Sequence, residues 1–309
     1  MIRKLWLALS GPGVTNQNIA SLTFLSIVFD NAPSPQVGPQ PVSPVYQTAL
    51  EIDILFTAGF YSSTCTNSEL FGCSNVAGNT FGGYITFNMP FKSNFTIYLY
   101  TIAASAVSYW VQTEYEIYST SYRMTPLYFY LQPQYVSSVS YPNEVPILSQ
   151  ISSNGVYLKY MKWAFFGNSG SWWEGRFRIY TGGSGLTGQI SGTHYTDGTY
   201  TVSTPYGAGA AVIWMSTGTE DGFDSSWNFV GSSYFAFDYA GYLYNSGGAS
   251  AGLSSSTEWT AYRQWGTRPL SIPPHSQPQQ YLVFTWTCGD PLVEQSGSAQ
   301  FIAYVGYYA

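Results

Sequence analysis

Charged side chains are scarce in this 309-residue chain: Asp, Glu, Lys and Arg together supply 8% of it, about a third of the share usual for soluble domains. Most of the exposed surface must then be covered by Ser, Thr, Tyr, Asn, Gln and Gly. Basic residues are the scarcest, 10 against 16 acidic ones, for a net charge of -6. Neutralising many phosphates takes a stripe of Lys and Arg, so little direct nucleic-acid binding is expected. Disorder is not implied either, because it goes with low hydrophobicity and high net charge, whereas 45% of this chain is hydrophobic.

Only two histidines, His194 and His275, and three cysteines, Cys65, Cys73 and Cys288, are present. No HxxxH, HExxH or CxxC pair exists among them, so the converging ligands of a transition-metal site are missing. The glycine-rich run TGGSGLTG (Thr181 to Gly188) lacks the Lys-Ser/Thr that follows a phosphate cradle and reads as a turn tip. No cofactor and no enzymatic activity are therefore expected. No apolar run approaches the ~20 residues of a membrane span. The apolar stretch Leu5 to Leu9 is shorter than a signal-peptide core and reads as a strand or arm.

Aromatic residues are abundant: 28 Tyr, 19 Phe and 10 Trp make up 18% of the chain. Such side chains favour pleated strands and protein interfaces. Alternating patterns are common and helical ones rare, which predicts an all-β sandwich with few short helices. Strands are expected at Leu5 to Ser10, Ala20 to Phe29, Ala49 to Thr57, Thr80 to Asn88, Phe95 to Tyr100, Tyr109 to Tyr118 and Arg123 to Leu131. Further ones are expected at Gly175 to Thr181, Tyr200 to Thr204, Ala211 to Ser216, Ser233 to Asp238, Tyr281 to Thr287 and Ala299 to Tyr308. Asp197-Gly198 signals a tight hairpin. One helix is expected over Val145 to Phe165, where Ile147, Ile151, Leu158 and Met161 keep an apolar spacing behind Pro146. The proline-rich stretches Ala32 to Tyr46 and Arg268 to Pro278 read as linkers or surface loops.

Three groups of residues are candidates for chemistry. Glu114 and Glu116 would share one face of a strand and could flank a sugar as glycoside-hydrolase carboxylates do, against two solvated carboxylates on an exposed strand as the alternative. Glu220, Asp221 and Asp224 place three carboxylates within five residues, the oxygen-rich chemistry that suits Ca²⁺, against a solvated loop as the alternative. Cys65 and Cys73 flank a polar loop and either close a small disulfide ring or stay free. Cys288 reads as a packed small hydrophobe.

Several segments beyond residue 145 resemble, in their order, the jelly-roll capsid proteins of picorna-like viruses. YLKYMKWAFF (Tyr157 to Phe166) leads through GNSGS into WWEGRFRIY (Trp172 to Tyr180). AAVIWMSTGTEDG (Ala210 to Gly222) follows, then LSIPPHS (Leu270 to Ser276), and FIAYVGYY closes the stretch Ala299 to Tyr308. Glu174 stands where that family has a basic residue, and Pro274 and His275 where it has aromatics. The resemblance implies a jelly-roll β-sandwich at 145–309. It leaves 1–144 as an N-terminal arm with the first strands, or as a first sandwich in the manner of double jelly-roll capsids. It also implies a virion subunit whose partners are its own copies, other capsid subunits and a host receptor or glycan. The competing expectations are a secreted or cell-surface adhesin or filament subunit and, behind it, a glycoside hydrolase.

Overall fold

A computed structural model describes residues 1–11, 19–39, 49–60, 65, 68, 70–77, 80–119, 127–141, 143–152, 154–170, 172–181, 211–216, 218–224, 229–231, 233–237, 239–251, 253, 258–265, 270–271, 281–289 and 297–309. The described residues form 17 strands, one five-residue α-helix and short 3-10 turns. The all-β expectation holds. The strands are filled with aromatic and β-branched side chains, which fit a pleated surface better than a helix.

A broad central sheet runs in the order β12 (Phe235–Ala236), β13 (Ala240–Asn245), β14 (Trp259–Gln264), β9 (Tyr157–Gly170), β17 (Gly297–Tyr308), β7 (Phe129–Ser140), with β15 (Leu270–Ser271) paired to the start of β9. Val37 extends it, bridging Leu131 of β7 on one side and Ile27 of β2 (Thr23–Phe29) on the other. β2 in turn pairs with β5 (Phe95–Thr101). The junction needs a glycine: Gly38 has φ +59°, and a Cβ there would lie 2.3 Å from the carbonyl oxygen of Leu25. Thus Gln36 to Gly38, inside a stretch expected to be a surface loop, is largely buried and paired.

Each face of the central sheet carries another sheet. On one side lies the order β3 (Phe71–Ala77), β4 (Thr80–Ile85), β1 (Ile2–Ser10), β6 (Ser108–Tyr115), together with α1 (Ile52–Phe56). On the other lies β11 (Ala211–Met215), β10 (Phe177–Thr181), β16 (Tyr281–Thr287), β8 (Glu144–Ile151). Alternation along the shared strands divides the cores. Tyr160 and Ala164 of β9 join Leu5, Leu7, Phe71 and Phe81 in the first, where the Tyr160 and Phe71 rings are 4.6 Å apart. Met161, Trp163 and Phe165 join Phe177, Phe284 and Trp286 in the second, where Trp163 stacks on Phe301 at 4.3 Å. The buried residues of the second core lie wholly within 139–307, whereas the first draws on 2–131 and on β9, β13, β14 and β17.

Two expectations need correction. No helix spans Val145 to Phe165: Glu144–Ile151 and Tyr157–Gly170 are strands β8 and β9. Tyr157 to Phe166, one of the segments that carry the capsid resemblance, is therefore strand and not helix. β9 is buried on both faces, and such strands read as nearly continuous apolar runs without alternation. Conversely, Ala49 to Thr57 is not a strand, because Ile52–Phe56 forms α1 with all five residues buried. Its short apolar run carries no periodicity that separates one turn of helix from a strand. Tyr200 to Thr204, Asp197-Gly198, Gly182 to Gly188, His194, Pro274 and His275 lie outside the described residues.

The second flanking sheet holds a buried polar knot. Glu144 Oε1 accepts the hydroxyls of Tyr180, at 2.9 Å, and Thr285. The same oxygen lies 3.4 Å from Arg178 Nη1, which also donates to Thr287 Oγ1 at 2.5 Å.

At the end of β2, Asp30 gathers a loop. Its carboxylate accepts the backbone N–H groups of Lys92, Ser93 and Asn94 and the Tyr128 hydroxyl. Burial pushes this carboxyl up, but the Ser93, Lys92, Tyr128 and Asn94 donors outweigh it and bring the pKa down to about 2. An unfolded Asp titrates near ~3.9. The folded value is the lower one, so this contribution is fully present above the unfolded pKa and is lost as pH falls through about 2. Urea midpoints measured from about pH 5 to about pH 2 should therefore fall more steeply for the natural chain than for Asp30→Asn. Parallel slopes would contradict this.

Candidate assembly interface

β6 has no buried face. Of its eight residues only Thr113 is even partly shielded, although β1 on its inner side buries Leu5, Leu7 and Leu9. An ordinary edge strand hides alternate side chains. Here Tyr109 (64% exposed) and Trp110 (55%) are both open to solvent, as are Val111 and Tyr115, and Ile117 just beyond is 86% exposed. Among the described residues β6 pairs only with β1, so its other edge offers unmatched backbone donors and acceptors. An exposed apolar edge of this kind is a template for a further chain.

The large exposed hydrophobic residues that are described fall into two bands. The first joins β6 and its continuation to β5: Tyr98 and Ile102 are exposed, Tyr98 stacks on Tyr100, and Phe95 meets Tyr115 edge-on at 6.3 Å. The second surrounds β12, where Val230, Tyr234, Phe237 and Tyr239 are exposed and the rings of Phe235, Phe237 and Tyr239 follow one another. β5 and β12 stand at opposite ends of the extended central sheet. The bands thus mark its two open edges. Grouped apolar exposure signals an interaction surface, whereas scattered single residues do not.

Charges beside the first band are internally matched. Arg3 pairs with Glu116 at 2.6 Å and Lys4 with Glu114 at 3.5 Å, and Arg3 also donates to Tyr118. Hydrogen bonds from Arg3 and then Tyr118 hold the Glu116 carboxyl below its ordinary value. Glu114 and Glu116 therefore sit near one another on an exposed edge, each facing a cation of the neighbouring β1. They do not face each other across a cleft, as a glycosidase pair must. A cleft of about 530 Å³ lies elsewhere, lined by Pro33, Gln36, Gln132, Gln150 and the stacked Tyr130 and Tyr307. No Asp, Glu, His, Lys or Arg side chain lines it.

The acidic run is tied to a cation of the protein itself. Asp221–Phe223 form a 3-10 turn, and Asp224 follows in the left-handed region with φ +58°. Asp224 Oδ1 accepts Arg263 Nη1 at 2.6 Å, and the guanidinium lies over the Trp214 and Trp265 rings. Among the described residues no group of three or more His, Cys, Asp or Glu is placed to hold a metal, so Glu220, Asp221 and Asp224 do not come together as ligands. Cys65 and Cys73 are joined as a disulfide with Cα atoms 5.2 Å apart. Cys288 is a buried thiol whose pKa burial pushes up to about 12. Sequence patterning had no means of finding the first band, because exposure on both faces of a strand leaves no signature in alternation.

No helix among the described residues is long and apolar enough to cross a membrane. No protein-family model matches the chain, and no curated protein matches it. Among solved structures the chain is similar to the VP2 subviral particle of infectious bursal disease virus, with 9% identity and a TM-score of 0.22 over 99% of this chain and 61% of that one. It is also similar to the structure of the Gx strain of infectious bursal disease virus, with 7% identity and a TM-score of 0.13, covering 99% of this chain and 64% of that one. The T=1 particles derived from the same virus give 6% identity and a TM-score of 0.13, with 99% and 62% covered. The chain spans less than two thirds of each of those chains. Superpositions this loose carry no weight for topology or function, and the all-β architecture stands on strand pairing alone.

Proposed function

We propose that this chain is a structural subunit of a virion shell, of the jelly-roll capsid kind, that assembles with copies of itself through its two aromatic bands. The observation that carries the reading is β6, an eight-residue strand whose aromatic side chains point to solvent on both faces. A lone subunit leaves this surface wet. Interface cores are rich in Tyr, Trp and Phe, which is the character of both bands. Their separation suits head-to-tail contact, in which one edge of a copy meets the other edge of the next and rotation closes the ring. The matched Arg3–Glu116 and Lys4–Glu114 pairs leave little net charge to repel a neighbour. The shell subunit needs no catalytic residues, and Glu114 and Glu116 are accounted for as the rim of this surface.

Electron microscopy and light scattering of the purified chain test the reading. Closed particles of uniform diameter are the expected result. Monomers alone, across salt and pH, would overturn it. Fibres or flat sheets would favour the second reading, a secreted or cell-surface filament or adhesive subunit, which the same exposed edges and the Cys65–Cys73 disulfide would also serve.

A further inference from the structure

The first core contains an amine and a carboxyl group among aromatic rings, and a second carboxyl group, that of Glu51, stands just before α1. Lys162 stands in the middle of β9 and is fully buried, and Asp53 of α1 is 1% exposed. Across the ladders, Lys162 is registered with Tyr304 of β17 and Tyr262 of β14, both buried. Lys162 Nζ donates to the carbonyls of Thr57 and, at 3.3 Å, Leu55, which end α1. The Thr57 hydroxyl lies 2.8 Å from Asp53 Oδ1 and 2.7 Å from Asp53 O. Thr57 therefore touches the amine with its carbonyl and the carboxyl with its hydroxyl, so the two groups sit within the breadth of one residue. Glu51 precedes them on the same turn, its backbone N–H held by the Tyr304 hydroxyl at 3.0 Å.

Burial is costly for the separate ions and suits their reaction. Desolvation drives the Lys162 pKa well down, with Asp53 opposing, and desolvation followed by the Asp53 charge drives the Glu51 pKa well up. A neutral amine is a nucleophile and a protonated carboxyl is a proton donor. A buried ion pair also costs desolvation that an amide does not.

We propose that Lys162 and Asp53 condense to an intramolecular isopeptide bond, with Glu51 as the acid that relays the proton. The Nζ lone pair attacks Asp53 Cγ and the Nζ–Cγ bond forms. The reacting Asp53 is the neutral acid: its hydroxyl oxygen takes a second proton from Glu51 and leaves as water, and a proton from Nζ restores Glu51. The sum is carboxylic acid plus amine giving amide plus water, with no oxidant, reductant or other reactant. The carbonyls of Leu55 and Thr57 hold the Nζ hydrogens and direct the lone pair. The bond would staple α1 to the central strand of the molecule.

Intact mass of the folded full-length chain, measured after reduction and denaturation, tests the inference. The expected mass is about 18 Da, one water, below that of the sequence, and proteolysis should yield a branched peptide joining residues 53 and 162. Lys162→Arg should restore the full mass. Should that variant fail to fold, Glu51→Gln keeps both reacting groups and should show the full mass at first and lose water slowly. The full sequence mass in the natural chain would overturn the proposal, and so would water loss that survives Lys162→Arg. Water loss as fast in Glu51→Gln as in the natural chain would overturn the relay by Glu51. None of these readouts depends on particle assembly.

Discussion

A chain carrying Trp110→Glu and Phe237→Glu should remain folded and monomeric under conditions in which the natural chain forms particles. Both side chains are more than half exposed, so the subunit itself should lose no more than ~0.5 kcal/mol, the usual cost of surface changes away from packed features. Assembly responds differently. Truncating an aromatic anchor in an interface costs about 2 kcal/mol or more, and an unpaired carboxylate placed in a dry contact adds its own desolvation penalty. A closed shell repeats that loss at every contact, so a thirtyfold or so weakening of each pair is about what ~2 kcal/mol implies. Sedimentation velocity reads the outcome directly. Particles formed by the double variant at the natural concentration would remove both bands from the assembly surface.

The largest loss of subunit stability is expected from Arg178→Met, in the range of about 3–5 kcal/mol. Arg178 is 1% exposed and Glu144 6%. Removing the guanidinium leaves the Glu144 carboxylate with the Tyr180 and Thr285 hydroxyls and no countercharge. Replacing one partner of a buried pair strands the other charge, whereas replacing both with groups of similar shape is far milder. Glu144→Gln combined with Arg178→Met should therefore be more stable than Arg178→Met alone. The measurement is urea unfolding of each variant, with the difference of differences giving the coupling. Strict additivity of the two changes would show that the pair is not the source of the loss.

Much of the secondary structure was legible from alternation or from runs of strand-forming residues. β1, β4, β5, β10, β16 and β17 lie where alternation or strand-forming runs placed them, with ends differing by a few residues. β9 was illegible for the opposite reason: Tyr160, Met161, Lys162, Trp163, Ala164 and Phe165 are all buried, three toward each core, and a strand covered on both faces has no polar beat. The candidate interface was legible only in composition. Abundant aromatics and scarce charge predicted contact surfaces, but nothing local distinguishes Trp110, which is exposed, from Trp163, which is not.

From the amino-acid sequence alone it follows that the chain is built from strands and that its surface holds few charges. These are properties of residue type and short-range spacing. Tertiary structure decided that one sheet would be shared between two cores, that Cys65 would meet Cys73, that Asp224 would be claimed by Arg263, and that Lys162 would come to rest beside Asp53. Each of these depends on which distant segments pack against one another. Long-range pairing of strands sets that, and it leaves no periodic mark in the chain.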